Sequence, residues 1–139
     1  MELSEADKKR VRAAWAGLSS QMEDIGEEAL RRLFTVHPQT KKFFRHFDLS
    51  PGSADVKALG KEVMDGLSRV VTHLDQPCRD LVGLRALVVG KLGLDSATFQ
   101  RLAQSILQTL QAHSRGAESP EEAAALDRFM QQVAAALYS

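Results

Sequence analysis

The sequence lacks the features that mark several large classes of protein. It contains one cysteine, Cys78, which excludes an internal disulfide and the paired-cysteine motifs of zinc and redox sites. No apolar run approaches the roughly 20 residues of a membrane-spanning helix, and the N-terminal MELSEADKK lacks the apolar centre of a signal peptide. We therefore expect a cytoplasmic protein with no membrane partner.

The chain also has no excess of charge of either sign. Its 18 basic and 18 acidic side chains cancel over 139 residues, so the overall charge does not favour nucleic acid as a partner. No HExxH motif, phosphate-binding glycine loop, Ser/His/Asp set or paired-carboxylate signature is present. The sequence therefore predicts a protein that is not an enzyme, built as a single domain over residues 1–139.

Apolar side chains recur at helical spacing through most of the chain, and no alternating run indicates a strand. The longest apolar stripe runs from Val56 to Leu74. Further helices are predicted from Glu23 to Val36 and, after a proline, from Pro38 to Phe44, followed by a loop from His46 to Ser53. This pattern predicts an all-α fold of about seven helices around one core.

Several helices are preceded by side chains that can accept a hydrogen bond from a free backbone N–H of the first turn. The predicted N-caps of this kind are Ser4, Asp95 and Ser119. Asp75 and Pro77 are predicted to be the cap and first helical position of a segment that ends near Leu92. These signals are local, so each predicts where a helix begins and not what the helix packs against.

The run PQTKKFFRHFDLSPGSADVKALGKEV, from Pro38 to Val63, closely resembles the middle of the alpha-type chains of vertebrate haemoglobins, which are members of the globin family. Three further segments also closely resemble sequences of that family: LSEADKKRVRAAW, GEEALRRLF and LDRFM. The resemblance covers essentially the whole chain. It implies a globin fold, a haem cofactor, a globin partner chain and a role in oxygen binding and transport.

The two positions with the greatest chemical consequence depart from the family. Leu59 stands where the family has a histidine facing the bound gas, and Val88, within LRALVVGKL, stands where it has the iron-binding histidine. Valine has no atom that can bind iron, and leucine cannot donate a hydrogen bond to bound oxygen. Haem is therefore predicted to be weakly bound or absent, which leaves a haem-free globin scaffold or interaction module, diverged or engineered.

The rest of the pocket wall is retained. Carried over from the resemblance, the lining positions are Leu30, Phe44, His46, Phe47, Leu59, Val63, Leu84, Leu87, Val88, Leu94, Phe99, Leu102 and Leu137. His46 corresponds to a histidine at the edge of the pocket, near a haem propionate. Apolar residues at helical spacing are equally expected in an ordinary core, so this set alone does not require a cofactor.

An alternative is a functional haem-binding oxygen carrier that uses a substitute iron ligand, or none from the protein. The side chains considered for this role are His37, His46, Met64, His73, Cys78 and His113. Each has a simpler explanation as a loop residue, a core residue or a residue at the end of a helix. A haem enzyme would need both an iron ligand and a positioned polar group, and neither is found.

The surfaces that join haemoglobin subunits also differ. Positions that the family buries against a partner chain carry Gln104, Gln108 and Glu118 here. Burying an unpaired carboxylate is costly, so a monomer or an altered dimer is favoured over a tetramer.

Glycines also bear on stability. Gly83, Gly90 and Gly93 predict that residues 78–93 are the least stable part of the fold, because glycine inside a helix costs about 1 kcal/mol relative to alanine.

Overall fold

A computed structural model describes residues 1–139. It contains six α-helices: α1 (Glu5–Gly17), α2 (Met22–Val36), α3 (Ala54–Thr72), α4 (Cys78–Arg85), α5 (Ser96–Ser114) and α6 (Pro120–Leu137). Short 3-10 helices lie at Ser19–Gln21 and Pro38–Phe44, and a π-helical segment, Ala86–Lys91, continues α4. There is no strand, so the prediction of an all-α fold with about seven helices is confirmed. None of the helices is long and apolar enough to cross a membrane.

Three of the predicted N-caps are present. The Asp7 N–H donates to Ser4 Oγ at 3.0 Å, and the Thr98 N–H donates to Asp95 Oδ1 at 2.8 Å. The Glu122 N–H donates to Ser119 Oγ at 3.1 Å. These caps are confirmed because they depend only on residues three positions apart.

The start of α4 differs from the prediction. The helix begins at Cys78, Pro77 precedes it, and no side chain caps it. The Asp75 carboxylate instead accepts hydrogen bonds from Lys8 Nζ at 2.9 Å and Arg12 Nη2 at 3.3 Å. The bond from Lys8 holds the pKa of Asp75 below its ordinary value. The carboxylate that was predicted to cap α4 is therefore bound by two cations of α1 instead.

One cluster of 33 buried apolar residues forms the core, and every α-helix contributes to it. The apolar stripe of α3 is buried along its whole length. Helices α2 and α3 approach each other closely at Gly26 and Gly60, where a Cβ added to Gly60 would stand 2.5 Å from the Gly26 carbonyl carbon. The two backbones therefore touch directly beside Leu59, which is 3% exposed.

Further contacts attach α1 to α3 and α6. Trp15, the only tryptophan, is 6% exposed and its Nε1 donates to Ser68 Oγ of α3 at 2.9 Å. Its ring meets Phe129 of α6 edge-on, with centroids 5.9 Å apart. Arg128 of α6 donates two hydrogen bonds of 2.8 Å to the Asp7 carboxylate, which lowers the pKa of Asp7.

The segment from 78 to 93 is predicted to be the least stable part of the fold, and its structure is consistent with that prediction. Helix α4 is only eight residues long, and Val82 leaves 70% of its surface in water. Gly83, Gly90 and Gly93 are all exposed. We expect amide hydrogens of residues 78–93 to exchange about tenfold faster or more than those of residues 100–112 of α5, because few buried contacts oppose local opening. Native-state exchange read by mass spectrometry tests this, and equal protection of the two segments would refute it.

Candidate functional site

Most of the predicted lining residues lie in the apolar core. Ten of the thirteen are buried: Leu30, Phe44, Leu59, Val63, Leu84, Val88, Leu94, Phe99, Leu102 and Leu137. They belong to one continuous apolar cluster, with Phe47 and Leu87 packed against it from outside. The remaining residue, His46, is exposed on the surface. The set therefore splits into a buried interior and a three-residue rim.

The space between α3 and the α4–π segment is closed. Leu59 is 3% exposed, Val63 and Leu84 are each 2% exposed, and Val88 has no exposed surface. A side chain that lines a cavity large enough for water keeps surface that a water-sized sphere can reach. These four side chains keep almost none, so they fill the space with their own atoms.

Leu84 brings α4 directly onto α3. Its Cδ1 lies 2.9 Å from the point where a Cβ would stand on Gly66, a buried glycine of α3. The absent side chain at Gly66 makes room for the leucine, so the two helices meet without a layer between them. Close packing of this kind is typical of a protein interior.

Val88 lies in the π-helical segment, which no sequence pattern predicted. The Leu92 amide donates to the Leu87 carbonyl at 2.9 Å, and the Leu94 amide donates to the Val88 carbonyl at 3.0 Å. Single π turns inside helices are rare and frequent at functional sites. Here the segment carries the fully buried side chain of Val88 into the core.

Of the other candidate iron ligands, Met64 is fully buried in the apolar core, and His37 is partly exposed. His73 Nδ1 is 2.8 Å from Asp80 Oδ2, and His113 Nδ1 is 2.8 Å from Gln21 Oε1. Cys78 is free and exposed. No group of three or more His, Cys, Asp or Glu side chains is arranged to hold a metal ion. No histidine is among the buried residues, so the buried set presents no imidazole that could bind a haem iron.

Tyr138 is a contact residue that the sequence did not single out. Its hydroxyl donates to the Leu94 carbonyl at 2.8 Å, which ties the end of α6 to the turn before α5. Its ring centroid lies 6.1 Å from that of Phe99. Burial, with a smaller contribution from the charge of Asp95, raises the pKa of Tyr138 to about 12. The sequence feature that could have pointed to this contact is that Tyr138 is the only tyrosine and directly follows the predicted lining residue Leu137.

Because the chain has one tyrosine, its alkaline titration reports a single group. We expect tyrosinate absorbance near 295 nm to rise with a midpoint near pH 12 in the folded protein and near the ordinary value of about 10 in urea. The folded state holds this proton more tightly, so the resulting stability is complete below about pH 10 and is lost as the pH rises through about 12. A midpoint near 10 with an unchanged helical circular dichroism spectrum would contradict the contact.

The helical order, the crossing of α2 and α3 and the apolar interior define a globin, and the sequence comparison agrees. The family model described as Globin matches residues 27–137, and the chain belongs to the globin family. It is 42% identical to the haemoglobin subunit alpha-1 of Iguana iguana and 43% identical to the haemoglobin subunit alpha-D of Coturnix japonica. Each match spans 135 residues, which are 97% of this chain and 96% of the relative.

Proposed function

We propose that this chain is a haem-free globin, a scaffold or interaction module that does not perform the oxygen transport its family implies. The observation that carries the proposal is the identity and burial of Val88, a side chain with no donor atom and no exposed surface where the family has its iron-binding histidine. Leu59, 3% exposed on α3, supports the same conclusion because it cannot donate to a bound gas molecule.

The physical reason is a competition between two ways of filling the interior. A bound haem gains from burial of its hydrocarbon surface at roughly 25 cal/mol per Å², but here it would first have to separate side chains already in contact. Without an iron–nitrogen bond, nothing in the donor set offsets that cost. We infer that haem is at most a weakly held apolar guest.

A haemin titration of the purified chain tests the proposal. The absorption spectrum is recorded oxidised, then reduced with and without carbon monoxide. We expect a broad, weak Soret band that apomyoglobin removes readily by competition. A sharp, stoichiometric band with a reduced spectrum that responds to carbon monoxide would overturn the proposal and favour an oxygen carrier with a substitute ligand.

The proposal extends to assembly and location. Gln104 and Gln108 are exposed on α5, and the pKa of Glu118 is raised by partial burial and then by the charge of Glu122. Further burial against a partner would add to that cost, so we propose a monomer or an altered dimer, with 1–139 as a single domain. Sedimentation equilibrium that gives a stable tetramer would contradict this.

We also propose that the protein is located in the cytoplasm. The free thiol of Cys78 supports this location, because thiols stay reduced there. The proposed function includes no catalytic role.

A further inference from the structure

A surface cleft of about 460 Å³ runs between α1 and α3. Its volume falls within the roughly 300–1,000 Å³ of small-molecule sites. One wall is built from α1 and the start of α2, and the other from residues 65–72 of α3. None of the predicted haem-lining residues contributes to it. The cleft is therefore separate from the interior between α3 and the α4–π segment, and nothing inferred from it depends on whether haem binds.

The cleft carries one charged group of each sign, Arg12 and Asp65. Arg12 Nη2 donates to Asp75 Oδ2 at 3.3 Å, and Trp15 Nε1 donates to Ser68 Oγ at 2.9 Å. Because residue numbers rise along α1 as they fall along α3, the two helices run antiparallel. Arg12 therefore lies near the C-terminal end of α3. Seven residues of helix, or about 10 Å, separate Asp65 from that end, so the two charges lie at opposite ends of the cleft.

Both charged side chains keep hydrogen-bonding capacity that the protein does not use. Only Nη2 of Arg12 bonds to the protein, and its acceptor, Asp75, has a shorter bond of 2.9 Å from Lys8 Nζ. Asp65 Oδ2 accepts from Lys61 Nζ at 2.8 Å, whereas Asp65 Oδ1 has no protein partner. A ligand can therefore bond to either group without breaking the pairs already present.

The hydroxyl groups of the cleft are acceptors. Ser19, Ser68 and Thr72 each donate their proton to a main-chain carbonyl three or four residues earlier, over 3.1, 2.7 and 2.9 Å. A hydroxyl whose proton is committed in this way still has oxygen lone pairs. These groups therefore favour a ligand that carries N–H donors along its length.

The rest of the lining is largely apolar. Trp15, Met22 and Val71 contribute to it and are 6%, 8% and 5% exposed. An apolar group of a ligand that covered them would remove their remaining surface from water, which is favourable. The cleft thus combines a cation, a carboxylate, hydroxyl acceptors and an apolar floor.

We propose that this cleft binds a short peptide with both termini free, about three residues long and with an apolar central side chain. Its amino terminus pairs with Asp65 and its carboxylate with Arg12. An extended chain advances about 3.3 Å per residue, so three residues cover the roughly 10 Å between the two groups. A single amino acid is too short to reach both, and a dicarboxylate would be repelled by Asp65.

Isothermal titration calorimetry of the full chain with the peptide Ala-Leu-Ala tests the site. We expect saturable one-to-one binding. Acetylation of the peptide's amino terminus, or amidation of its carboxyl terminus, removes one charge at a time, and each should weaken binding about tenfold. Since Trp15 is the only tryptophan, the protein has one indole N–H resonance, which should shift in the NMR spectrum as the peptide saturates the cleft.

Two variants assign the ends of the peptide. Asp65→Asn should weaken binding of the free peptide about tenfold and should abolish the penalty for acetylation, because the ammonium has lost its partner. Arg12→Gln should in the same way abolish the penalty for amidation. The matched controls, Asp24→Asn and Arg69→Gln, make the same changes at exposed positions outside the cleft and should bind all three peptides as the parent chain does.

The two cleft side chains are each about 40% exposed, so both variants should keep the helical circular dichroism spectrum of the parent chain. Absence of saturable binding, an indole resonance that does not move, or equal losses in the cleft variants and the controls would each overturn the proposal. It would also be overturned by a penalty for acetylation that persists in Asp65→Asn, or by one for amidation that persists in Arg12→Gln.

Discussion

The double variant Leu59→His/Val88→His is expected to bind haemin at least about 100-fold more tightly than the parent chain, which corresponds to about 2.7 kcal/mol. The substitutions act on both sides of the competition for the interior. In the haemin-free fold, each buried imidazole without a partner destabilises the core by roughly 1–3 kcal/mol. In the haemin-bound fold, the histidine at position 88 supplies an iron ligand. The measurement is the haemin titration already described, together with thermal unfolding.

Unfolding gives a second readout of the same event. Without haemin, the variant should have a lower melting temperature than the parent chain. Haemin at a concentration 100-fold above its dissociation constant should raise the free energy of unfolding of the variant by about 2.7 kcal/mol. Val82→His is the matched control, because it places an imidazole on α4 at a position 70% exposed to water and should leave haemin binding unchanged. A double variant that still rejects haemin would mean that the helices hold the interior closed whatever side chains fill it.

Gly60→Ala is expected to reduce the free energy of unfolding by about 3 kcal/mol or more. The added methyl group would stand 2.5 Å from the Gly26 carbonyl carbon and 2.6 Å from the Glu27 nitrogen. Both are backbone atoms, so no rotamer change relieves the contact and α2 must move away from α3. Urea unfolding followed by circular dichroism measures the loss.

Gly83→Ala makes the same chemical change where there is room for it. Nothing lies within 4 Å of its Cβ position, so the helix propensity of alanine should stabilise the protein by up to about 1 kcal/mol. Opposite signs in the two variants would separate the crowding at Gly60 from the general effect of replacing glycine. A loss below about 1 kcal/mol at Gly60 would show that the α2–α3 crossing tolerates separation.

The parts of the fold that could be predicted from sequence are those that depend on near neighbours. The caps at Ser4, Asp95 and Ser119 follow from residues three positions apart, and the buried stripe of α3 follows from its period. Asp75 was assigned wrongly because its partners, Lys8 and Arg12, are more than 60 residues away. The π turn at Val88 was missed because apolar spacing does not distinguish it from an ordinary turn.

The candidate site divides in the same way. The apolar character of positions 59 and 88 could be read from the sequence, but whether the space between them is filled depends on helix separation, which here follows from contacts such as that of Leu84 with Gly66.

The position of the single indole gives the molecule a built-in optical probe. Trp15 lies at the junction of α1, α3 and α6, shielded from water and bonded to Ser68, so its emission should be blue-shifted in the native state and should move to the red when α1 detaches. A haem group that entered the interior would quench that emission by energy transfer. Fluorescence from one residue can therefore distinguish insertion of haemin into the fold, which quenches a native spectrum, from unfolding, which shifts it.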